Sequence, residues 1–234
     1  RGILQAIANE EVGKGNNISI GFGRMDGGEN VIIGNQSMQS ASLIKLYVAG
    51  CIYELIQNGE MTSSNEIESL IGSMLKVSDN DACNTLVKKL GNGDAAAGMQ
   101  KVNTFCSNHG LTDTSMGRLM LDFNSSQDNY TSVADCTAFL QSVYNGRLAG
   151  SDSILSYLKQ QERTGKLPAG VPSGVATANK TGELDTVEND AAIIFADNGA
   201  YVVTVMMSGL SDTASARETI KDISSKIYDY TQKN

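Results

Sequence analysis

The hydrophobic period of this chain changes twice, and that switch restricts the possible folds more than any single residue does. Near the amino terminus Ile18, Ile20 and Phe22 alternate with small or polar residues at strand period, and a turn at Met25-Asp26-Gly27-Gly28 leads into Val31-Ile32-Ile33. This reads as a hairpin. A short amphipathic stretch carrying Ile7 and Val12 precedes it, ended by Gly13 and Gly15. From Ser42 the spacing becomes helical: Leu43, Leu46, Tyr47, Ile52, Leu55 and Ile56 surround a helix that is apolar on most sides and stops at Asn58-Gly59, the pattern of a helix buried in a bundle. Ser63 with Glu66 forms the expected capping box before Ile67, Leu70, Ile71, Met74 and Leu75. Asp81, Asp94, and Ser132 with Asp135 start further helices, and 151–163 makes one more.

After Pro168 and Pro172 the strand period returns, over 174–180, 191–196 and 201–207, with Asn198-Gly199 as the strongest hairpin signal in the chain. A last helix from about Asp212 places Ile220, Ile223, Ile227 and Tyr228 on one face. Strands and an amphipathic helix at both ends pack most simply as one antiparallel sheet of about five strands, flanked by terminal helices. The expected fold class is therefore α/β plus an all-α lobe. The α/β lobe is discontinuous, from 1–36 and 167–234, and the inserted helical lobe spans 37–166 with Ser42, Lys45 and Ser78, leaving an active site between lobes.

With 234 residues and 41% hydrophobic content, the chain can build one large core or two lobes sharing a core. Its net charge of −8 argues against nucleic acid or anionic membrane as partners, because either needs a basic face. A small molecule or a peptide is the expected ligand. No stretch approaches the ~18 uninterrupted apolar residues of a membrane span, and Arg1-Gly2-Ile3-Leu4-Gln5 does not read as a signal segment. Cys51, Cys83, Cys106 and Cys136 permit three pairings, among which the sequence does not choose; small buried thiols are the preferred alternative. With one histidine, His109, and no C-x-x-C, neither a metal nor another cofactor is expected.

Three short motifs carry chemistry. Ser42-Leu43-Ile44-Lys45 places a hydroxyl and an amine one helical turn apart, and a hydroxyl needs such a neighbour to take its proton. Ser78-Asp79-Asn80 and Lys180-Thr181-Gly182 follow. Alone, each has a plainer reading: two surface residues, a turn that starts a helix, and an edge-strand lysine that keeps the sheet soluble. A lysine inside so apolar a helix fits the first of these poorly, and Gly182 beside Lys180 permits close approach of a ligand backbone.

Taken together and in this order, the motifs resemble the signature of class A β-lactamases and penicillin-binding proteins. The segment Asp81-Ala82-Cys83-Asn84-Thr85-Leu86 and the approach Leu167-Pro168-Ala169-Gly170-Val171-Pro172 extend the resemblance over nearly the whole chain. It implies that Ser42 is the nucleophile, Lys45 its proton acceptor and Ser78 the relay to the leaving nitrogen, with Asn80 holding Lys45 and the substrate amide. The backbone N–H groups of Ser42 and Glu183 would form the oxyanion hole. Lys180, Thr181 and Gly182 would bind the substrate's carboxylate end, with Asn124 as a further substrate contact. β-Lactams or D-alanyl peptides are the implied substrates of an extracytoplasmic, monomeric enzyme.

One departure stands out. The family's acyl-release loop begins at an arginine and carries a glutamate two residues on and an asparagine four beyond that. Here 110–124 lines up without a gap, so that Arg118 and Asn124 match and Met120 stands where the glutamate should be. Methionine cannot take a proton from water, so slow deacylation is expected. Asp122, Glu183 and Asp128 are the carboxylates that could substitute, with Glu183, directly after the K-T-G motif, better suited to shape substrate choice than to activate water.

Overall fold

A computed structural model describes residues 1–233. Its five-stranded sheet is antiparallel throughout, ordered β2-β1-β7-β6-β5. The strands are β1 (Asn17–Arg24), β2 (Asn30–Ile33), β5 (Ala176–Leu184), β6 (Val187–Ala196) and β7 (Gly199–Ser208). Helices α1 (Gly2–Gly13) and α8 (Thr213–Lys233) come from the two ends of the chain. Between β2 and β5 lie α2 (Ile44–Gln57), α3 (Asn65–Lys76), α4 (Asn80–Leu90), α5 (Ala95–Asn108), α6 (Val133–Tyr144) and α7 (Ser151–Lys159), with a two-stranded ribbon of β3 (Met38–Gln39) and β4 (Tyr130–Thr131). The expected sheet with its helical lobe is the observed architecture.

Both faces of the sheet are buried, and the two-residue strand period sorts neighbours between them. Ile193, Val202 and Met206 join the core of α2–α6, whereas Ile194, Val203 and Val205 pack with Ile220, Ile223 and Ile227 of α8. On β1, Ile18, Ile20 and Phe22 face the terminal helices. The opposite side of β1 is stripped down so that α6 can lie against it: a Cβ on Gly21 would stand 2.6 Å from Thr137 Oγ1. This packing explains the small residues that gave β1 its alternation. Helix α2 is the axis of the other layer, with every residue from Ile44 to Tyr53 buried, Lys45 among them.

Several local expectations shift. Val12 is exposed, and α1 turns Leu4, Ala8 and Glu11 inward instead. Ser64, not Ser63, caps α3 by accepting from Ile67 N, and Asp79, not Asp81, caps α4 by accepting from Ala82 N. Helix α7 ends at Lys159 rather than Arg163. Strand β6 starts four residues before the expected Ala191. Its first half, Val187-Glu188-Asn189-Asp190, reads as polar, yet all four are buried. Tertiary partners satisfy them: Lys166 and Arg217 on Glu188, the Gln39 and Ser40 carbonyls on Asn189, and Asn179 with Leu167 N on Asp190. The four cysteines are unpaired and buried, and burial pushes their thiols up to about 12.

Candidate active site

A cavity of about 540 Å³ opens where the edge strand β5, the start of α4 and the 111–129 loop meet. Ser42, Ser78 and Asn80 line it, as do Thr181, Gly182 and Glu183. Ser42 sits in a 3-10 turn, Ala41–Leu43, that runs straight into α2, so the Lys45 ammonium follows one turn behind it. Ala41 holds φ +46°. A non-glycine residue in that region costs about 1–3 kcal/mol and persists only where its surroundings enforce it. Here β5 does so. A Cβ on Gly182 would lie 2.7 Å from Ser40 O and 3.0 Å from Ser42 N, so only glycine lets the strand press this closely on the nucleophile turn. Asn189 ties the turn from the next strand, donating to Gln39 O and Ser40 O at 2.9 and 3.2 Å.

Ser78, also at positive φ (+62°), is the hub. Lys45 Nζ donates to Ser78 Oγ at 3.0 Å, Ser78 O at 2.7 Å and Asn80 Oδ1 at 2.7 Å. Lys180 Nζ donates to the same Ser78 Oγ at 2.9 Å and to Thr181 O at 2.8 Å. As an ammonium, Lys45 has spent all three protons on these acceptors. Loss of one leaves a lone pair one turn behind Ser42. Burial is the main force lowering the Lys45 ammonium to about 8, and Arg163 adds to it. Burial likewise lowers Lys180 far below the usual lysine range, with repulsion from Lys45 and Arg163 behind it. Two lysines around one hydroxyl form a hydrogen-bonded chain along which a proton can pass.

The opposite wall is the 111–129 loop. Its key position, Met120, is buried and clamped: Met120 N donates to Asn84 Oδ1 at 2.8 Å, and Asn84 Nδ2 donates to Met120 O at 3.0 Å. Asn84 lies one turn after Asn80 on α4, so the helix that anchors Lys45 also fixes this wall. Arg118 is buried against Asp128 at 2.7 Å, and Asp128 also accepts from Gln39. These bonds keep the Asp128 carboxylate below its ordinary range against the opposing pull of burial, which makes it a poor proton acceptor. Leu121 and Phe123 line the cavity as exposed apolar side chains.

A family model described as the beta-lactamase enzyme family matches residues 3–69 and 62–231. The chain belongs to the β-lactamase family. Solved structures of similar fold include a β-lactamase from Sphaerobacter thermophilus DSM 20745, 22% identical with TM-score 0.86 over 100% of this chain and 98% of that one. PBP-A is 22% identical with TM-score 0.88, over 100% and 97% of the two chains. A β-lactamase from Xanthomonas campestris pv. campestris str. ATCC 33913 is 20% identical with TM-score 0.85, over 97% of each. No curated protein matches the chain.

Within this β-lactamase-family fold, Ser42, Ser78, Asn80, Thr181, Gly182 and Glu183 line one cavity, and Lys45 and Lys180 reach it through Ser78. Two placements differ from expectation. Asn124 is exposed and is not among the residues lining the cavity, whereas its neighbours Phe123 and Ser125 are. Lys180 is fully buried behind Ser78, so it reaches the cavity through that hydroxyl rather than directly. The motif reading missed Arg163, Lys166, Asn84 and Asn189. Of these only Asn84 left a signal, its spacing of four from Asn80. Among the described residues no cluster of His, Cys, Asp and Glu could hold a metal, and no helix is long and apolar enough to cross a membrane.

Proposed function

We propose that this protein is a class A β-lactamase-like serine hydrolase that forms an acyl-enzyme at Ser42 and releases it slowly. The observation that carries this reading is the pair of buried lysines on Ser78 Oγ, at 3.0 and 2.9 Å, of which Lys45 follows Ser42 by one helical turn. In this mechanism neutral Lys45 takes the Ser42 proton as the hydroxyl attacks the amide carbonyl, and the Ser42 and Glu183 N–H groups stabilise the oxyanion. Ser78 then passes a proton from the lysine pair to the leaving nitrogen, while Asn80 keeps Lys45 aimed and Thr181 meets the substrate's polar end. The substrate is a β-lactam or a D-alanyl peptide met outside the cytoplasm.

Release is where this chain departs. With Met120 clamped at the cavity wall, the group that activates water is missing from that position. The same feature favours a second reading, a D-alanyl-D-alanine peptidase or acyltransferase, or a penicillin-binding sensor without turnover. In keeping with it, a solved PBP-A with an L158E substitution is an acyl-enzyme complex with penicillin G. An intact-mass time course with penicillin G and a D-alanyl peptide tests these readings. A single long-lived adduct at Ser42 is the expected result; rapid loss of the adduct would refute the slow-release mechanism, and no adduct would refute the acyl-enzyme.

A further inference from the structure

The carboxylates that line the cavity are Asp122, Asp128, Glu183 and Asp185, against two guanidinium groups, Arg118 and Arg163. Arg118 is already buried against Asp128, so Arg163 is the lining cation that an incoming anion would meet. It is not waiting for one. Arg163 Nη1 lies 2.9 Å from Glu183 Oε2, and Lys166 Nζ lies 3.0 Å from Glu183 Oε1, so both oxygens of Glu183 are engaged. Lys166 is buried and spends its other protons on Glu188 at 2.9 Å and Asn189 O at 2.8 Å. Arg217 goes to Glu188. Glu183 follows Thr181 by two residues on β5, so its side chain lies where the polar end of a ligand along that strand would arrive.

We propose that Glu183 is a selectivity residue whose carboxylate occupies the anion position beside Thr181, so that ligands bearing a carboxylate next to the scissile amide acylate Ser42 more slowly than neutral ones. The proposal rests on acylation of Ser42. An incoming carboxylate either displaces Glu183 and strands it half-buried, or stays and faces a like charge at close range. A neutral ligand meets neither obstacle. The favoured substrate class is accordingly an amide or ester of the carboxyl group, or a peptide carrying a cation at that end.

The test compares the rates of mass gain at Ser42 with benzylpenicillin and with its carboxyl methyl ester. Glu183→Gln should raise the acid-to-ester rate ratio about tenfold, since like-charge juxtaposition across a contact is costly. The variant keeps Lys166 paired with Glu188 and Asn189 O, and a thermal melt checks its fold. Arg163→Gln should lower the same ratio, because it removes the lining cation while the carboxylate stays. An unchanged or lower ratio in Glu183→Gln, or an undiminished one in Arg163→Gln, overturns the proposal while leaving the acyl-enzyme intact. Absence of an adduct from both ligands in the parent protein takes down both readings.

Discussion

The two walls of the cavity are built on opposite principles. On the wall of α2, α4 and β5, Lys45, Ser78, Asn80 and Lys180 are joined in one hydrogen-bonded network, with both lysines on the Ser78 hydroxyl. On the loop wall the backbone is matched, by Asn84, and Met120, Leu121 and Phe123 line the cavity beside Asp122 and the Arg118–Asp128 pair. The first wall is equipped to move protons; the second, at Met120, is not. In the proposed mechanism a site with one such wall makes an ester bond readily and breaks it poorly.

The strongest test of this contrast removes the nucleophile. Ser42→Ala is expected to abolish the penicillin adduct entirely in intact-mass spectra; labelling that persists would place the chemistry elsewhere. Next comes the loop wall. Met120→Glu supplies the missing acceptor and should shorten adduct lifetime by about a hundredfold, the lower end of what a positioned general base contributes, with little change in labelling rate. An unaltered lifetime would mean that Met120 does not face the water.

Proton traffic on the first wall gives a smaller and graded effect. In the proposed mechanism Lys45 acts when neutral, and with its ammonium lowered to about 8 roughly one molecule in ten is competent at pH 7. Labelling should therefore rise about tenfold per pH unit below 8 and level off above it. Since Lys180 titrates against the same hydroxyl, the midpoint belongs to the pair. A flat stopped-flow profile between pH 6 and 9 would remove Lys45 as the base. The smallest effect concerns the clamp between the walls. Asn84→Ala loses two hydrogen bonds to the Met120 backbone and should cost about 1–3 kcal/mol, seen as a lower denaturation midpoint; no shift would show that the loop holds itself.

Much of the fold was legible because its signals are local. The strand alternation of Ile18, Ile20 and Phe22, the Asn198-Gly199 turn and the apolar run after Ser42 each report on their own neighbourhood, and the structure repeats them. The failures share one cause. Val187–Asp190 reads as polar because its partners lie far away in sequence, on the segment around Lys166, on α8 and on the nucleophile turn.

The sequence by itself determined the chemistry available: a serine, two lysines, a second serine and a carboxamide in fixed order, with no carboxylate at position 120. Only the tertiary structure decided that both lysines share one hydroxyl, that Lys180 sits behind it rather than in the cavity, and that Glu183 has already taken the cations at the polar end. The reason is physical. Protonation and selectivity depend on burial and on charges within a few ångströms, and those neighbours come from segments 17 to 102 residues apart.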